Sequence, residues 1–475
     1  MRKQKKQIII ENVLVQDYAA EGKSLSKIDG KVIFIENCVP GDVVNIQLTK
    51  NKKDWAEAFP IKFITYSKER VTPFCTHFGV CGGCQWQMLP YEKQLLYKQK
   101  QVTDNLSRIA KVPLPPMFPI IGANKTKFYR NKIEYTFCNK RFIPLAEFKS
   151  LKEQGIDPHS FGQFGGFHAK GVFDKIVAID TCYLQEEPTN LLRTAIVDFA
   201  IKNNYSFYDI KLHQGFLRNV IIRIASTGEW MANIVFGYED EEKRVGLLNY
   251  IQQSFPTITS LLYTINTKWN DSISDLNPVT YFGKGYIIDC LEDFKFKISP
   301  KSFFQTNTLQ AEKLYSIVRN FAELNASQIV YDLYCGTGSI GVFVSKQAKK
   351  IVGVEVVADA IADAKENAAL NNILDSVFVA GDVIDVCDDA FFNQHGKPDV
   401  VITDPPRAGM HEKLIKKLLD IAAPIIVYVS CNPATQARDI ALLDEKYEVT
   451  KIQPVDMFPH TQHIENVMQL KLKNK

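Results

Sequence analysis

The sequence predicts an α/β chain in three parts, and three observations predict it. From about residue 300 onward, helical and strand-like segments alternate, the pattern of a parallel doubly wound sheet. Residues 7–66 read instead as short strands parted by turn signals such as Asp29-Gly30 and Pro40-Gly41-Asp42, the pattern of a small β-barrel. Between them, strands such as KIEYTF and NVIIRIA mix with helices such as TNLLRTAIVDFAIKN, an α+β region. The expected domains are 1–70, 71–300 and 301–475, since 475 residues exceed one ordinary core.

Composition narrows the class. Hydrophobic residues make up 46% and charged residues 23%, the balance of a soluble globular chain. The longest apolar run, IAAPIIVYV (421–429), is too short to span a bilayer and is broken by Pro424. The opening MRKQKKQIII has a basic head but only three apolar residues behind it, unlike a secretory signal. The chain is therefore expected in the cytoplasm, with no membrane association and no obligate protein partner evident. Residues 1–70 hold 13 Lys/Arg against 9 Asp/Glu, while the remainder holds 44 of each. The positive balance thus belongs to the N-terminal segment, as in a polyanion-binding module, although a solvated tail would look the same. Four or five short strands in about 60 residues suit a barrel of the OB kind, a common nucleic-acid platform.

Ten cysteines in a cytosolic chain are expected to be reduced, so clustered ones point to a metal or a cluster. CTHFGVCGGCQW supplies Cys75, Cys81 and Cys84, with Gly82-Gly83 letting the backbone fold closely round a ligand. Candidates for a fourth thiolate are Cys38, Cys138, Cys182 and Cys290. Thiolate-only ligation fits an iron–sulfur cluster or zinc, and the spacing does not separate them. YEKQLLYKQKQVTDNLSRIA (91–110) follows as a helix, and VPLPPMFP (112–119) reads as a linker.

QIVYDLYCGTGSIGVFVS (328–345) is a strand, a glycine turn and a helix, where Gly336, Gly338 and Gly341 let the backbone approach a ligand. A dinucleotide-binding fold shares that turn. Here Asp332 and Tyr334 lead into it, and the next strand ends on Glu355, which can hold two ribose hydroxyls. The strand after that ends at VFVAGDV, where Asp382 can accept from an adenine amine, and a further one ends on Asp404-Pro-Pro. Four acidic strand ends in this order resemble the Rossmann-like S-adenosylmethionine-dependent methyltransferases.

IIVYVSCNP (425–433) is a buried strand running into a helix start, with Asn432 as N-cap and Pro433 at the first helical position. Cys431 then sits at a strand end facing a helix N-terminus, whose partial charge favours a thiolate. A buried inert thiol is the commonplace alternative. Beside a methyl donor, a nucleophilic cysteine is what pyrimidine C5 methylation requires. Thiolate addition to C6 makes C5 nucleophilic, and after methylation a base removes the C5 proton so that the thiolate leaves. In FPHTQHIENVMQL (458–470), Glu465 is the candidate base, and His460 and His463 are not by themselves a metal site.

SFFQTN (302–307), DLYCGTGSIG, DPPRAG, SCNP and FPHTQHIENV together resemble the RNA uracil-5-methyltransferase family over almost the whole chain. The resemblance implies that Cys431 is the nucleophile and Glu465 the base. It implies that Gln305, Tyr334, Ser339, Glu355, Asp382 and Asp404 contact S-adenosylmethionine or lie beside it, with Ser339 standing where the family commonly has Asn. The N-terminal segment looks like the family's TRAM domain, an OB-like RNA-binding barrel. Cys182, in AIDTCYLQ, matches the fourth ligand of the ribosomal-RNA branch, which implies a [4Fe–4S] cluster on Cys75, Cys81, Cys84 and Cys182, with zinc as the alternative. The implied activity is C5 methylation of a uridine in 23S ribosomal RNA. A transfer-RNA enzyme making ribothymidine competes closely, and the barrel and cysteines favour the ribosomal branch. A non-catalytic RNA-binding iron–sulfur protein would not need Cys431 or Glu465, and an N-methyltransferase built on DPP would leave Cys431 without work.

Overall fold

The computed structural model describes residues 8–19, 22–158 and 162–474; the basic opening residues 1–7 lie outside them. In the C-terminal part, the apolar segments form a seven-stranded sheet. Its order is Ser376–Ala380, Lys350–Glu355, Ile329–Leu333, Val400–Thr403, Ile425–Ser430, Glu465–Leu472 and Tyr447–Val455. The first five strands are parallel, and Glu465–Leu472 pairs antiparallel with both of its neighbours. Ile425–Ser430 is buried at every position, as its continuous apolar run requires of a strand covered on both faces. Helices Thr308–Ala322 and Ser339–Val344 pack on one face, and Glu412–Ile421 and Pro433–Leu443 on the other. Leu333 pairs with both Val354 and Thr403, so the carboxyl ends of these strands finish together at one edge of the sheet.

The central part is a seven-stranded mixed sheet ordered Val279–Gly283, Ser260–Ile265, Trp230–Phe236, Leu217–Ile224, Lys132–Cys138, Phe164–His168 and Ile176–Ala178. Helices Thr189–Lys202 and Glu241–Ser254 bury Leu192, Ile196, Leu247 and Ile251 against Val220, Ile222, Ala232 and Ile234. At the N-terminal end, six strands rather than four or five form one sheet, because Ser24–Ile28 pairs with Lys31–Ile35 across the Asp29-Gly30 turn. Its two edge strands, Ile9–Leu14 and Asp17–Tyr18, are parted in the chain only by Val15 and Gln16, so the sheet curls back on itself. Among the described residues, no helix is long and apolar enough to cross a membrane.

Two segments pack away from their neighbours in sequence. The helix Tyr91–Asn105 and its widened last turn, Leu106–Ala110, bury Val102, Leu106 and Ala110 in the C-terminal core beside Ile440. The Pro-rich stretch read as a linker is no free tether. The Phe118 N–H donates to the Ile452 carbonyl at 3.0 Å, and Ile121 pairs in parallel with Val455. Its prolines keep it out of regular structure, yet Val112, Leu114 and Met117 still have apolar surface to bury against the same core.

Candidate active site

The aligned strand ends open on a cavity of about 1090 Å³. Its lining includes Gln305, Tyr334, Ser339, Glu355, Asp404, Cys431 and Glu465. Asp382 is the one residue of the expected set outside the lining. Its carboxylate turns back to accept from the Ile384 N–H at 2.9 Å and caps the short helix Val383–Val386.

The glycine turn is braced from below. Asp332, fully buried, accepts from the Gly341 N–H at 2.8 Å. Its other oxygen finds no partner among the described residues, and burial pushes the carboxyl up to about 7. Tyr334 takes the left-handed backbone at φ +60°, a costly conformation for a non-glycine residue, and Gly336 follows at φ +54°. A Cβ at Gly336 would meet nothing within 4 Å, so the turn leaves a clear cradle on the cavity side. Glu355 is fixed across it, accepting from the Gly336 N–H at 3.3 Å and the Val357 N–H at 3.0 Å. The Ser339 hydroxyl lies 2.9 Å from that of Tyr315. Gln305 is held through its carbonyl, which accepts from the Asn131 amide at 2.8 Å. A backbone cradle beside a fixed carboxylate fits a ligand with a ribose diol.

Strand register brings Cys431 and Glu465 together. Ser430 pairs with Asn466 in antiparallel register, so the next pair outward sets Cys431 opposite Glu465 at the cavity rim. Asn432 caps the following helix, accepting from the Ala434 N–H at 3.1 Å, and Pro433 takes its first turn. The expected local structure is present, but the thiol is not low. Burial first, then the Glu465 and Asp404 carboxylates, push Cys431 up to about 11, with Arg407 pulling the other way. The partial charge of one helix end is outweighed by desolvation and two anions. Glu465 is buried, and burial and the nearby Asp404 hold its carboxyl well above the usual range. Asp404 opens partly to the cavity but is enclosed on its other sides, and burial lifts it to about 7. Two carboxylates this close do not both ionise readily, so the pair tends to keep a proton. Arg407 donates to His463 Nδ1 at 3.0 Å. Burial holds His463 down at about 4, so its ring is neutral near pH 7 and can accept.

The family description "tRNA (Uracil-5-)-methyltransferase" matches residues 389–473, and "Methyltransferase small domain" matches 310–427. An uncharacterized RNA methyltransferase of Bacteroides thetaiotaomicron is 51% identical over 458 residues, spanning 96% of this chain and 100% of its own. One of Porphyromonas gingivalis is 47% identical over 460 residues, 96% and 98% of the two chains. The crystal structure of the Pyrococcus abyssi tRNA (uracil-54, C5)-methyltransferase in complex with S-adenosyl-L-homocysteine superposes with a TM-score of 0.75 at 28% identity, covering 97% and 100%. The chain belongs to the RNA uracil-5-methyltransferase family. Its cofactor is S-adenosylmethionine, and its substrate is RNA.

In this methyltransferase Cys75, Cys81, Cys84 and Cys182 line one small cavity of about 30 Å³, walled by Phe74, Phe78, Ile179 and Leu184. All four are free thiols. Burial, and then the other thiols, raise Cys81 to about 11 and Cys84 to about 12. Among the described residues no group of three or more His, Cys, Asp or Glu is arranged to hold a metal ion. The donor set still has the chemistry of a thiolate site: cysteines lining one apolar cavity become thiolates only beside a compensating cation.

The methyltransferase sequence hid what holds the segment before Glu465. The Asp456 carboxylate accepts from Lys98 at 2.6 Å and from the Tyr91 hydroxyl at 2.8 Å, and both side chains of the ion pair are fully buried. The Gln94 carbonyl oxygen accepts from the His460 N–H at 2.8 Å, while its amide donates to the Trp86 and Leu89 carbonyls, each at 3.0 Å. The Gln85 and Trp86 N–H groups, next to Cys84, donate to the His460 carbonyl at 2.8 and 3.0 Å. Polar residues at positions 94 and 98 inside an otherwise amphipathic helix were the only local sign.

Proposed function

We propose that the enzyme methylates C5 of a uridine in 23S ribosomal RNA through a covalent bond between Cys431 Sγ and uracil C6. The observation that carries this reading is the register of Ser430 against Asn466, which sets Cys431 opposite Glu465 on a cavity also lined by Glu355 and Asp404. When bound, S-adenosylmethionine supplies an electrophilic methyl group. Gln305, Tyr334, Ser339, Glu355 and Asp404 would hold it, with Asp382 nearby, just past the end of the strand that pairs with that of Glu355. The Cys431 thiolate adds to C6, the C5 carbanion so formed takes the methyl group, and Glu465 removes the C5 proton as the sulfur leaves. A raised carboxyl suits that last step, because a general base works best with a pKa near the working pH. Arg407 is the cation beside Cys431 that favours its thiolate. The target uridine lies unpaired or flipped, since C6 is closed to attack within a stack.

Cys75, Cys81, Cys84 and Cys182 would hold a [4Fe–4S] cluster. The ligand spacing suits a cluster or one zinc, and the resemblance of the cysteine pattern to the ribosomal-RNA branch favours the cluster. The curled N-terminal sheet is read as a TRAM-like RNA-binding domain, within a division at 1–70, 71–300 and 301–475, and the enzyme as cytoplasmic. Transfer RNA is the second reading, favoured by the full-length match to a protein named as a transfer-RNA enzyme. Labelled S-adenosylmethionine should be offered with unmodified 23S ribosomal RNA and, in parallel, unmodified transfer RNA, followed by nuclease mapping. Label at C5 of a ribosomal uridine is expected. Label in transfer RNA alone would overturn the substrate, and label in neither would overturn the activity.

A further inference from the structure

Away from the cavity, the central region presents an aromatic pair that methyl transfer does not use. Trp269 is 79% exposed and lies parallel to the His213 ring, with planes 6° apart and centroids 4.9 Å apart. Both loops are fixed from beneath. A register shift between Leu217 and Asn219 turns Arg218 under the Trp269 loop. Its guanidinium donates to the carbonyls of Asn266 at 2.7 Å, Lys268 at 2.8 Å and Asn270 at 3.1 Å, and to the Asp271 carboxylate at 2.7 Å. It also rests on the Tyr208 ring at 4.0 Å. The His213 loop is held by Asp209, which accepts from the Lys211 and Leu212 N–H groups at 3.0 and 3.1 Å and pairs with Lys140 at 2.7 Å.

Burying a guanidinium to order a loop is costly, and what it orders is an apolar ring left in water. That expense is understandable if the ring face is used. The same loop runs on to Ser274 and Pro278, both of which line the active-site cavity. Ser274 follows Trp269 by five positions, a reach of at most about 18 Å. Lys301, also in the lining, donates to the Ser274 carbonyl at 3.2 Å and ties the loop to the cavity wall.

We propose that Trp269, backed by His213, is a stacking site for an unpaired base of the same RNA strand whose uridine enters the cavity. The inference rests on the RNA-methylating reading and adds a second contact to it. A π face suits any base, so the site contributes affinity and register, not base identity. The cations on these loops are already paired, Lys211 with Asp174 and Lys268 with Asp275. The contribution is therefore stacking, and its size should not change with salt.

The test uses the full-length enzyme and the transcript it methylates. Trp269→Ala should raise KM for that RNA about 5- to 150-fold with kcat at saturation unchanged, the range one stacked base supports. Trp269→Phe should keep most of the affinity. Trp86 and Trp230 are buried, and Trp55 is half-buried in the N-terminal sheet, so Trp269 emission is read as the wild-type signal less that of Trp269→Phe. That difference should be quenched by a single-stranded oligouridylate. Unchanged KM in Trp269→Ala together with unquenched wild-type emission would overturn the proposal. Quenching by the oligouridylate in an enzyme that methylates no RNA would sustain the stacking site while the methylation reading failed.

Discussion

Replacing Glu465 by Gln should split the two halves of the reaction in opposite directions. Glu465 is buried and its carboxyl is held well above the usual range, so an amide of the same shape copies the protonated acid and the fold should survive. The Glu465 carboxylate is the largest charge effect raising Cys431, second only to burial. Removing it lowers the thiol pKa and should not slow addition to C6. Removing the C5 proton, however, loses its base, and general bases contribute roughly 10²–10⁴-fold. If the intact enzyme turns over at about 10 per second, the methylated adduct should then persist with a half-life of about 7 s to about 12 min. The assay mixes the variant with labelled RNA and S-adenosylmethionine, quenches in denaturant and counts RNA retained on protein. A retained band that vanishes in Cys431→Ala/Glu465→Gln is expected. An adduct that resolves at the wild-type rate would refute Glu465 as the base and turn attention to Asp404, testable as Asp404→Asn.

Three further outcomes are expected. With Cys431 near 11, the thiolate that must form before methyl transfer is gained as pH rises, so kcat/KM should climb through pH 6–9 by roughly tenfold per unit. A plateau by pH 7 would mean that the thiolate is already formed. Lys98→Met leaves the Asp456 carboxylate buried with only the Tyr91 hydroxyl and the Phe458 N–H, a loss of about 3–5 kcal/mol read as a lowered unfolding midpoint. Lys98→Met/Asp456→Leu should recover part of it, and an unchanged midpoint in Lys98→Met would refute the strength assigned to the pair. Protein purified without oxygen should be brown and carry about four irons per chain, and Cys84→Ser should lose colour and iron together. A colourless chain with one zinc would replace the cluster and leave the methyltransferase reading intact.

What could be read from sequence was what is decided locally. A strand followed by Asn-Pro had to end in a capped helix, and the other four parallel strands announced themselves by apolar runs leading to an acid or a glycine. Asp382 shows the limit of that reasoning. An acid at a strand end is also an acid before a helix, and there the backbone N–H of Ile384 competes for its carboxylate. The Cys431 thiol shows the same limit in its charge. Helix capping is written next to it, but Glu465 and Asp404 arrive from strands 34 and 27 residues away in the chain, and they decide the sign.

The segment before Glu465 carries the point furthest. Nothing in DMFPHTQHIE predicts a rigid approach to a strand, and His460 even sits at a positive φ of 66°. Its backbone is fixed by Gln94, Lys98 and the Gln85-Trp86 amides, all more than 350 residues earlier in the chain. Those same amides follow directly on Cys84. The helix Tyr91–Asn105 therefore belongs by packing with the C-terminal sheet, and through Gln94 it joins the cysteine-lined cavity to the strand that begins at Glu465. Buried hydrogen bonds of this kind are expensive to leave unmade, so the position of Glu465 depends on all three segments being in place.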